Sequence, residues 1–187
     1  MAQADIIKDA LAASLKRLLE KESIEKISVD RICEECRIGR SSFYRYFQDK
    51  YELLTWIIET EFFRSLEIDP NKTIWDYYPS FIKYIYDSRK FFKNSISYDG
   101  QNSLRKYLLD RWYPIIVHDF GDVFPNKYWE QFCVKWYVYM SQDAYIQWLT
   151  QKEPIPWEEF MQEQVDAMAG FIQGVKNSFD KFENTTI

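Results

Sequence analysis

Apolar residues near the start of the chain recur at intervals of three and four. Ile7, Leu11, Leu15 and Leu18 form one stripe, which predicts an amphipathic helix over about residues 4–21. The same period returns after each break that contains Pro, Gly, Asn or Asp. The further helices predicted are a short one capped by Ser28 and others over about 40–47, 50–67, 73–88, 90–97, 102–119, 126–151 and 157–180. No segment alternates in the manner of a strand, so we predict an all-α fold of about nine helices.

The composition supports helices and narrows the class of protein. Five Gly and six Pro are too few for an all-β chain with many hairpins, and aromatic residues make up 19% of the chain. No apolar run approaches the roughly 18 residues that span a bilayer, and the N-terminus does not resemble a signal peptide. Three Cys and one His are typical of a reducing compartment. We therefore expect a cytoplasmic protein without membrane contact.

Charge is distributed unevenly along a chain whose net charge is −5. Residues 1–50 hold ten Lys and Arg against nine Asp and Glu, whereas residues 51–187 hold fourteen against twenty. The stretch Arg37–Lys50 holds four basic residues and one acid, Asp49. Contact with nucleic acid must therefore be local and made by one basic element.

Two short helices separated by the turn Arg37-Ile38-Gly39, with a preceding helix to brace them, match the plan of a helix-turn-helix. At 100° per residue, the second short helix directs Phe43 and Phe47 to one face. Its opposite face carries small or basic side chains with a tyrosine on each flank; these residues are Ser41, Ser42, Arg45, Tyr44 and Tyr46. This layout suits insertion into the DNA major groove, where hydroxyl and guanidinium groups meet base edges. The alternative is a short core helix with solvated charges.

The run from Ile27 to Leu54 resembles the DNA-binding domain of TetR/AcrR-type transcription regulators. The matching positions are the capping Ser28, then Ile32, Cys33, Cys36, Ile38, Phe43, Tyr44, Phe47, Lys50 and Leu53. The resemblance implies that contacts with bases and phosphates come from Arg40, Ser41, Ser42, Tyr44, Arg45, Tyr46 and Lys50. Two positions depart from the family pattern. Arg37 replaces a glycine where a positive φ is often needed, and Gly39 replaces a capping serine.

The resemblance divides the chain into a DNA-binding domain of residues 1–50 and an effector-binding and dimerisation domain of residues 51–187. The predicted helix over 126–151 is apolar on two faces, and the last helix carries a stripe of small residues that permits close approach of another helix. In the family the last two long helices pair with their twofold copies. The expected dimer contacts are Trp136, Met140, Ala167, Gly170, Gly174 and Ser178. The alternative is that both helices belong to an intramolecular core.

The middle of the chain is rich in aromatic residues, which either line a pocket for an aromatic or apolar small-molecule effector or fill the core. No residue is assigned to such a ligand. Cys33 and Cys36 have the spacing of a metal or redox motif, but the remaining candidates, Cys133 and His118, lack ligand spacing. We therefore predict no metal and no cofactor. The sequence also lacks a nucleophile–base pair and a phosphate-binding glycine loop, so an enzyme is not expected.

Together these features predict a sequence-specific transcription regulator that binds double-stranded DNA at a palindromic operator as a homodimer. The first interpretation is a repressor that a small-molecule effector releases from its operator. The alternative is an activator that works with a protein coactivator or senses no small molecule. This alternative rests on Gln147-Trp148-Leu149, Pro154 and Glu158-Glu159-Phe160, which are similar to a subgroup of the family that includes activators of dihydroxyacetone kinase operons.

Overall fold

The computed structural model describes residues 3–66, 69, 71–96, 98, 100 and 103–185, with side chains as far as residue 181. All regular structure in these residues is helical, which confirms the all-α prediction. The α-helices are α1 Gln3–Leu19, α2 Val29–Cys36, α3 Arg40–Tyr46, α4 Lys50–Glu61, α5 Ile74–Asp87, α6 Arg89–Ile96, α7 Leu104–Phe120, α8 Lys127–Thr150 and α9 Trp157–Thr185. Short 3₁₀ turns lie at Ile24–Lys26, Phe63–Ser65 and Gly121–Val123.

The chain forms two compact units. The first consists of Met1–Glu67 and Asp87–Tyr107, and the second of Ile68–Tyr86 and Leu108–Ile187. These units are defined by compactness, whereas the boundary expected between residues 50 and 51 separates functions. That functional boundary stays a prediction.

Helix starts follow the capping residues that the sequence offers. The Ser28 side chain accepts a hydrogen bond from the Arg31 N–H at 3.2 Å, as expected for the cap of α2. Asp49 accepts from the N–H groups of Tyr51 and Glu52, both at 2.8 Å, and so caps α4. The Glu52 carboxylate reaches back to the N–H of Gln48, one residue before the cap. A capping box would place that bond on the cap residue itself.

Helix α4 ends earlier than the predicted residue 67. The chain leaves the helix after Glu61, where Phe62 has φ −122° and ψ −67°. Phe62 and Phe63 are both buried, although adjacent residues on a straight helix point about 100° apart. The 3₁₀ turn that follows lets both rings enter the core, and Phe63 meets Tyr107 with 5.9 Å between ring centroids.

The core of the first unit fixes the position of α3. Leu11 and Leu15 of α1, Ile32 of α2 and Leu53 of α4 are fully buried, and α1 packs against both α2 and α4. Cys33 is buried as predicted, but Cys36 is half-buried because it is the last residue of α2, where the chain turns away. Its thiol donates to the carbonyl of Ile32 at 3.2 Å.

The second unit is built on α5, α7, α8 and α9. The indole of Trp148 stacks on the ring of Phe160 with 4.1 Å between centroids and 4° between planes, which joins α8 to α9. The Asp119 carboxylate accepts from the N–H of Ile74 at 2.5 Å and so satisfies the first turn of α5. Helix α9 continues past the predicted residue 180 to Thr185.

Candidate nucleic-acid interface

The turn between α2 and α3 depends on one residue in a left-handed conformation. Arg37 has φ 57° and ψ 36°, and no other non-glycine residue in the described part of the chain has a positive φ. The Arg37 N–H donates to the Glu34 carbonyl at 3.2 Å, and the Ile38 N–H donates to the Cys33 carbonyl at 3.0 Å. This pair of bonds is a Schellman motif, in which glycine is usual at the left-handed position. The turn therefore keeps the geometry of a glycine although it carries an arginine.

Helix α3 begins without a side-chain cap. Gly39 has the extended conformation of an N-cap, and its carbonyl accepts from Ser42 and Phe43, but it offers no side-chain oxygen to the free N–H groups of the first turn. This is the outcome expected from the loss of the family's serine. Contacts farther along brace the helix start, since the Arg40 guanidinium lies 3.0 Å from the Asp30 carboxylate.

The two faces of α3 differ as the 100° period predicts. Phe43 is fully buried, Phe47 is 3% exposed, and their ring centroids lie 5.9 Å apart. The outward residues Ser41, Tyr44 and Arg45 are exposed, whereas Ser42 and Tyr46 are half-buried. The buried pair anchors the helix, and Ser41, Tyr44 and Arg45 face solvent.

Lys50 lies beyond α3, and its side chain is held by hydrogen bonds within the protein. Its ammonium donates to the carbonyls of Ile27 at 2.7 Å and Glu25 at 3.1 Å, and burial lowers its pKa. A phosphate contact by Lys50 stays a prediction. The partners of Lys50 lie 23 and 25 residues earlier in the chain, and no local sequence signal indicates such a contact.

A second candidate surface lies along α8 and α9 in the other unit. Trp136 is 54% exposed, Phe132 is 53% exposed and Met140 is 42% exposed, which is unusual for large apolar side chains. An open groove of about 700 Å³ runs beside them, lined by Trp129, Phe132, Cys133, Trp136, Gly170, Phe171, Gly174, Val175, Ser178 and Phe179. We call it the α8–α9 groove.

The α8–α9 groove brings together four of the six residues expected at a dimer interface. These are Trp136, Gly170, Gly174 and Ser178. Met140 and Ala167 are exposed but do not line the groove. A side chain added at Gly170 or Gly174 would meet nothing within 4 Å, so space beside both glycines is open.

A small, partly open cavity lies in the second unit, between α5, α7, α8 and α9. Its volume is about 20 Å³, enough for about one water molecule. The hydroxyls of Tyr78 and Tyr145 lie at its wall, 2.6 Å apart, and burial raises the pKa of both. The side chains of Trp112 and Ile116 form an apolar part of the cavity wall. The cavity thus combines an aromatic lining with uncharged polar groups, which are the Tyr78–Tyr145 hydroxyl pair and the side chains of Ser141 and Gln142.

The remaining chemistry raised by the sequence concerns metal binding, His118 and the membrane. The described residues contain no group of three or more His, Cys, Asp and Glu side chains placed to hold a metal ion. His118 hydrogen-bonds through Nδ1 to the Asp119 carboxylate at 2.9 Å. None of the helices in the described ranges has the length and apolar character needed to cross a bilayer.

Comparison with known proteins identifies both halves of the chain. The family "Bacterial regulatory proteins, tetR family" matches residues 11–55, and the family "Transcriptional regulator C-terminal region" matches residues 72–170, which is more than half of the chain. In sequence, the chain is 37% identical over 62 residues to the HTH-type dhaKLM operon transcriptional activator DhaS of Lactococcus lactis subsp. lactis. That match spans 33% of this chain and 33% of the relative.

Two solved structures share the fold. The dihydroxyacetone kinase operon activator DhaS has a TM-score of 0.61 with 18% identity, over 89% of this chain and 96% of that one. A TetR transcriptional regulator from Streptococcus agalactiae 2603V has a TM-score of 0.63 with 20% identity, over 88% of this chain and 94% of that one. At such identities the likeness concerns the fold alone. With both family matches, it leads to one conclusion: the chain belongs to the TetR family of helix-turn-helix transcriptional regulators, which are DNA-binding proteins and not enzymes.

Proposed function

We propose that the chain binds a palindromic operator as a homodimer and inserts α3 of each protomer into the major groove. The observation that carries this proposal is the outward face of α3, where Ser41 and Arg45 are exposed and Ser42 is half-buried, opposite two buried phenylalanines. Short serines let the helix axis approach the base edges. In this proposal Ser41, Ser42 and Arg45 read bases and Arg40, Tyr44 and Tyr46 contact phosphates. Lys50 supports this surface through its hydrogen bonds to the carbonyls of Glu25 and Ile27.

The dimer is proposed to form through the α8–α9 groove. Exposed aromatic side chains beside open glycines provide both the apolar area and the close approach that a helix–helix interface needs. A palindromic operator also requires a twofold partner, because its two half-sites, about 34–36 Å apart or a multiple of that distance, need two copies of α3.

DNA selection tests this function directly. The purified protein would select duplexes from a randomised pool, and binding to the tightest of them would be measured against salt, beside a mixed-sequence duplex of equal length. We expect a palindromic sequence and a steep loss of affinity with salt. Arg45→Ala should relax the preference at one base position, whereas Arg17→Ala, which removes an exposed arginine of α1 paired with Glu35, should not. Failure to enrich any sequence would contradict the proposal.

Two mechanisms of regulation are proposed for the bound dimer. In the first, the protein is a repressor, and a small effector enters the cavity at Tyr78 and Tyr145 and lowers operator affinity by shifting the population of conformations. The uncharged polar groups and the aromatic lining favour a small, uncharged aromatic or apolar molecule. A ligand of that size needs a pocket of roughly 300 Å³ or more, so the cavity must expand on binding.

The second mechanism is activation together with a protein coactivator. It is favoured by the small size of the cavity, about 20 Å³, and by the similarity to a relative named as an operon activator. Deletion of the gene separates the two mechanisms. Transcription from the promoter beside the selected site would rise if the protein is a repressor and fall if it is an activator.

A further inference from the structure

Arg37 has a left-handed backbone conformation, which is unfavourable for a residue with a Cβ. Its side chain makes no polar contact within the described part of the chain that would offset this free-energy cost. A positive φ is disfavoured for every residue with a Cβ, and glycine is the usual residue at this place in a Schellman motif. The Arg37 side chain is exposed, and its guanidinium has no hydrogen-bond or ion-pair partner among the described residues. Packing and charge pairing inside the chain therefore give no reason for an arginine here.

The neighbouring basic residues are engaged differently. The Arg31 guanidinium lies 2.6 Å from the Glu22 carboxylate, and that of Arg40 lies 3.0 Å from the Asp30 carboxylate. The ammonium of Lys50 is held by two carbonyl oxygens. Arg37, like the exposed Arg45 of α3, has no such partner among the described residues, so its positive charge is available to a partner outside the chain.

The position of Arg37 suits a contact with DNA. It precedes α3 by three residues, and the N-terminal part of a recognition helix is the part that lies against the bases. A long guanidinium side chain just before that helix reaches toward the adjoining backbone of the duplex. Guanidinium groups bind phosphate oxygens in a bidentate manner, which a buried or paired lysine cannot do.

We propose that Arg37 is a phosphate-contacting residue, retained at a glycine position because DNA binding requires its charge. The inference rests on the proposed function, since it needs α3 to enter the groove. It adds a contact that the family pattern does not supply at this position, at a helix-turn-helix where Lys50 is already engaged with backbone carbonyls.

The test separates stability from binding in a single variant. Arg37→Gly relieves the backbone strain, so we expect its Tm to rise by about 2–4 °C. The same variant should bind the selected duplex and the mixed-sequence duplex more weakly, by about tenfold at low salt. The slope of log affinity against log salt should fall by about one per protomer, or about two per dimer. A merely structural role for Arg37 would not produce these opposite changes.

Two further variants complete the experiment. Arg37→Lys should keep most of the salt slope while retaining the strained backbone. Lys21→Gln, which removes an exposed charge just after α1, should leave the slope unchanged. If Arg37→Gly binds both duplexes as tightly as the parent while Arg45→Ala weakens binding, the inference is wrong and the proposed function stands. If the parent selects no duplex, both are wrong.

Discussion

Helix α3 and the α8–α9 groove both expose aromatic side chains to solvent, but they surround those aromatics with different groups. On α3 the exposed ring of Tyr44 lies beside hydroxyl and guanidinium groups. In the groove, Trp136 and Phe132 lie beside glycines, with almost no polar group between them. Polar groups that stay in water suit a hydrated, charged partner such as DNA, whereas bare apolar area is stabilised only when another apolar surface covers it.

Small residues occur on both surfaces. In the proposed complex with DNA, Ser41 and Ser42 would let the α3 axis come close to the duplex and would keep a hydrogen-bonding group there. In the proposed dimer, Gly170 and Gly174 would let another helix come close to α9 and would offer no such group. The presence of a hydroxyl on the serines and its absence on the glycines, as much as the small size of both, therefore indicates which kind of partner suits each surface.

A charge in the α8–α9 groove should have the largest effect. Trp136→Glu replaces a half-exposed indole with a carboxylate that a dimer would bury, which should weaken dimerisation by about a thousandfold, or roughly 4 kcal/mol. Analytical ultracentrifugation would measure the dissociation constant. Ser80→Glu, on the exposed side of α5, is the control and should leave dimerisation unchanged. A dimer equally stable in both variants would place the interface elsewhere.

Filling the space beside a groove glycine should have the next largest effect. Gly174→Leu adds a side chain where the monomer has open space, so the fold should be kept while dimerisation weakens by about a hundredfold. Ala169→Leu enlarges an exposed residue on the opposite edge of α9 and is the matched control. Sedimentation at low protein concentration would show a raised monomer fraction for Gly174→Leu alone. Equal monomer fractions would exclude close packing at this glycine.

Alkaline pH should loosen the α8–α9 pair that forms the groove. The Tyr137 hydroxyl donates to the Gln164 carbonyl at 3.3 Å, and burial raises its pKa from 10.0 to about 12. A raised folded-state pKa means that the stabilisation is complete below about pH 10 and is lost as pH rises through about 12. The free energy of unfolding should fall by on the order of 2 kcal/mol over this rise in pH.

Denaturant unfolding at about pH 9 and about pH 11.5, compared between the parent and Tyr137→Phe, measures this loss. The variant should lose less stability between the two pH values because it lacks the ionisable hydroxyl. Tyr128→Phe, an exposed tyrosine of the same helix, should behave like the parent. If Tyr137→Phe follows the parent across this interval, the buried hydroxyl is not the source.

The smallest effects are expected at α3 and the residue after it, where one substitution tests support of the fold and another tests contact with DNA. Lys50→Ala removes two hydrogen bonds to carbonyls and should lower the free energy of unfolding by about 1–2 kcal/mol, as measured by denaturation.

Tyr44→Ala should change the free energy of unfolding by less than about 0.5 kcal/mol, yet it should weaken binding to selected and mixed-sequence duplexes alike by a few-fold. Fluorescence anisotropy measures the affinity. An unchanged affinity in Tyr44→Ala would exclude its phosphate contact.

The helical period of the sequence was enough to predict the two faces of α3, because Phe43 and Phe47 are spaced by one turn. The sequence also predicted that Ser28 and Asp49 cap helices, because such a cap involves only residues two or three positions apart. The resemblance to a family with glycine at this position marked Arg37 as a departure where a positive φ is often needed, and the structure shows that Arg37 has one. These features need only a few neighbouring residues to be specified.

Other features depend on contacts between distant parts of the chain, and the sequence did not predict them. Lys50 is held by carbonyls more than 20 residues away, and α4 is cut short so that Phe62 and Phe63 can both be buried. The abundance of aromatic residues left open whether they enclose a pocket. The volume of the cavity near Tyr78 depends on how closely those rings pack, which periodicity does not determine.

The missing cap at Gly39 has a consequence for the evolution of specificity. A seven-residue helix without a cap is too short to be stable by its own hydrogen bonds, so α3 is held by Phe43 and Phe47. Substitutions at Ser41, Ser42 or Arg45 do not touch these anchors and cost the fold little. In the proposed complex with DNA, a descendant of this protein could therefore exchange one operator sequence for another through changes on the outward face alone, while both phenylalanines remain.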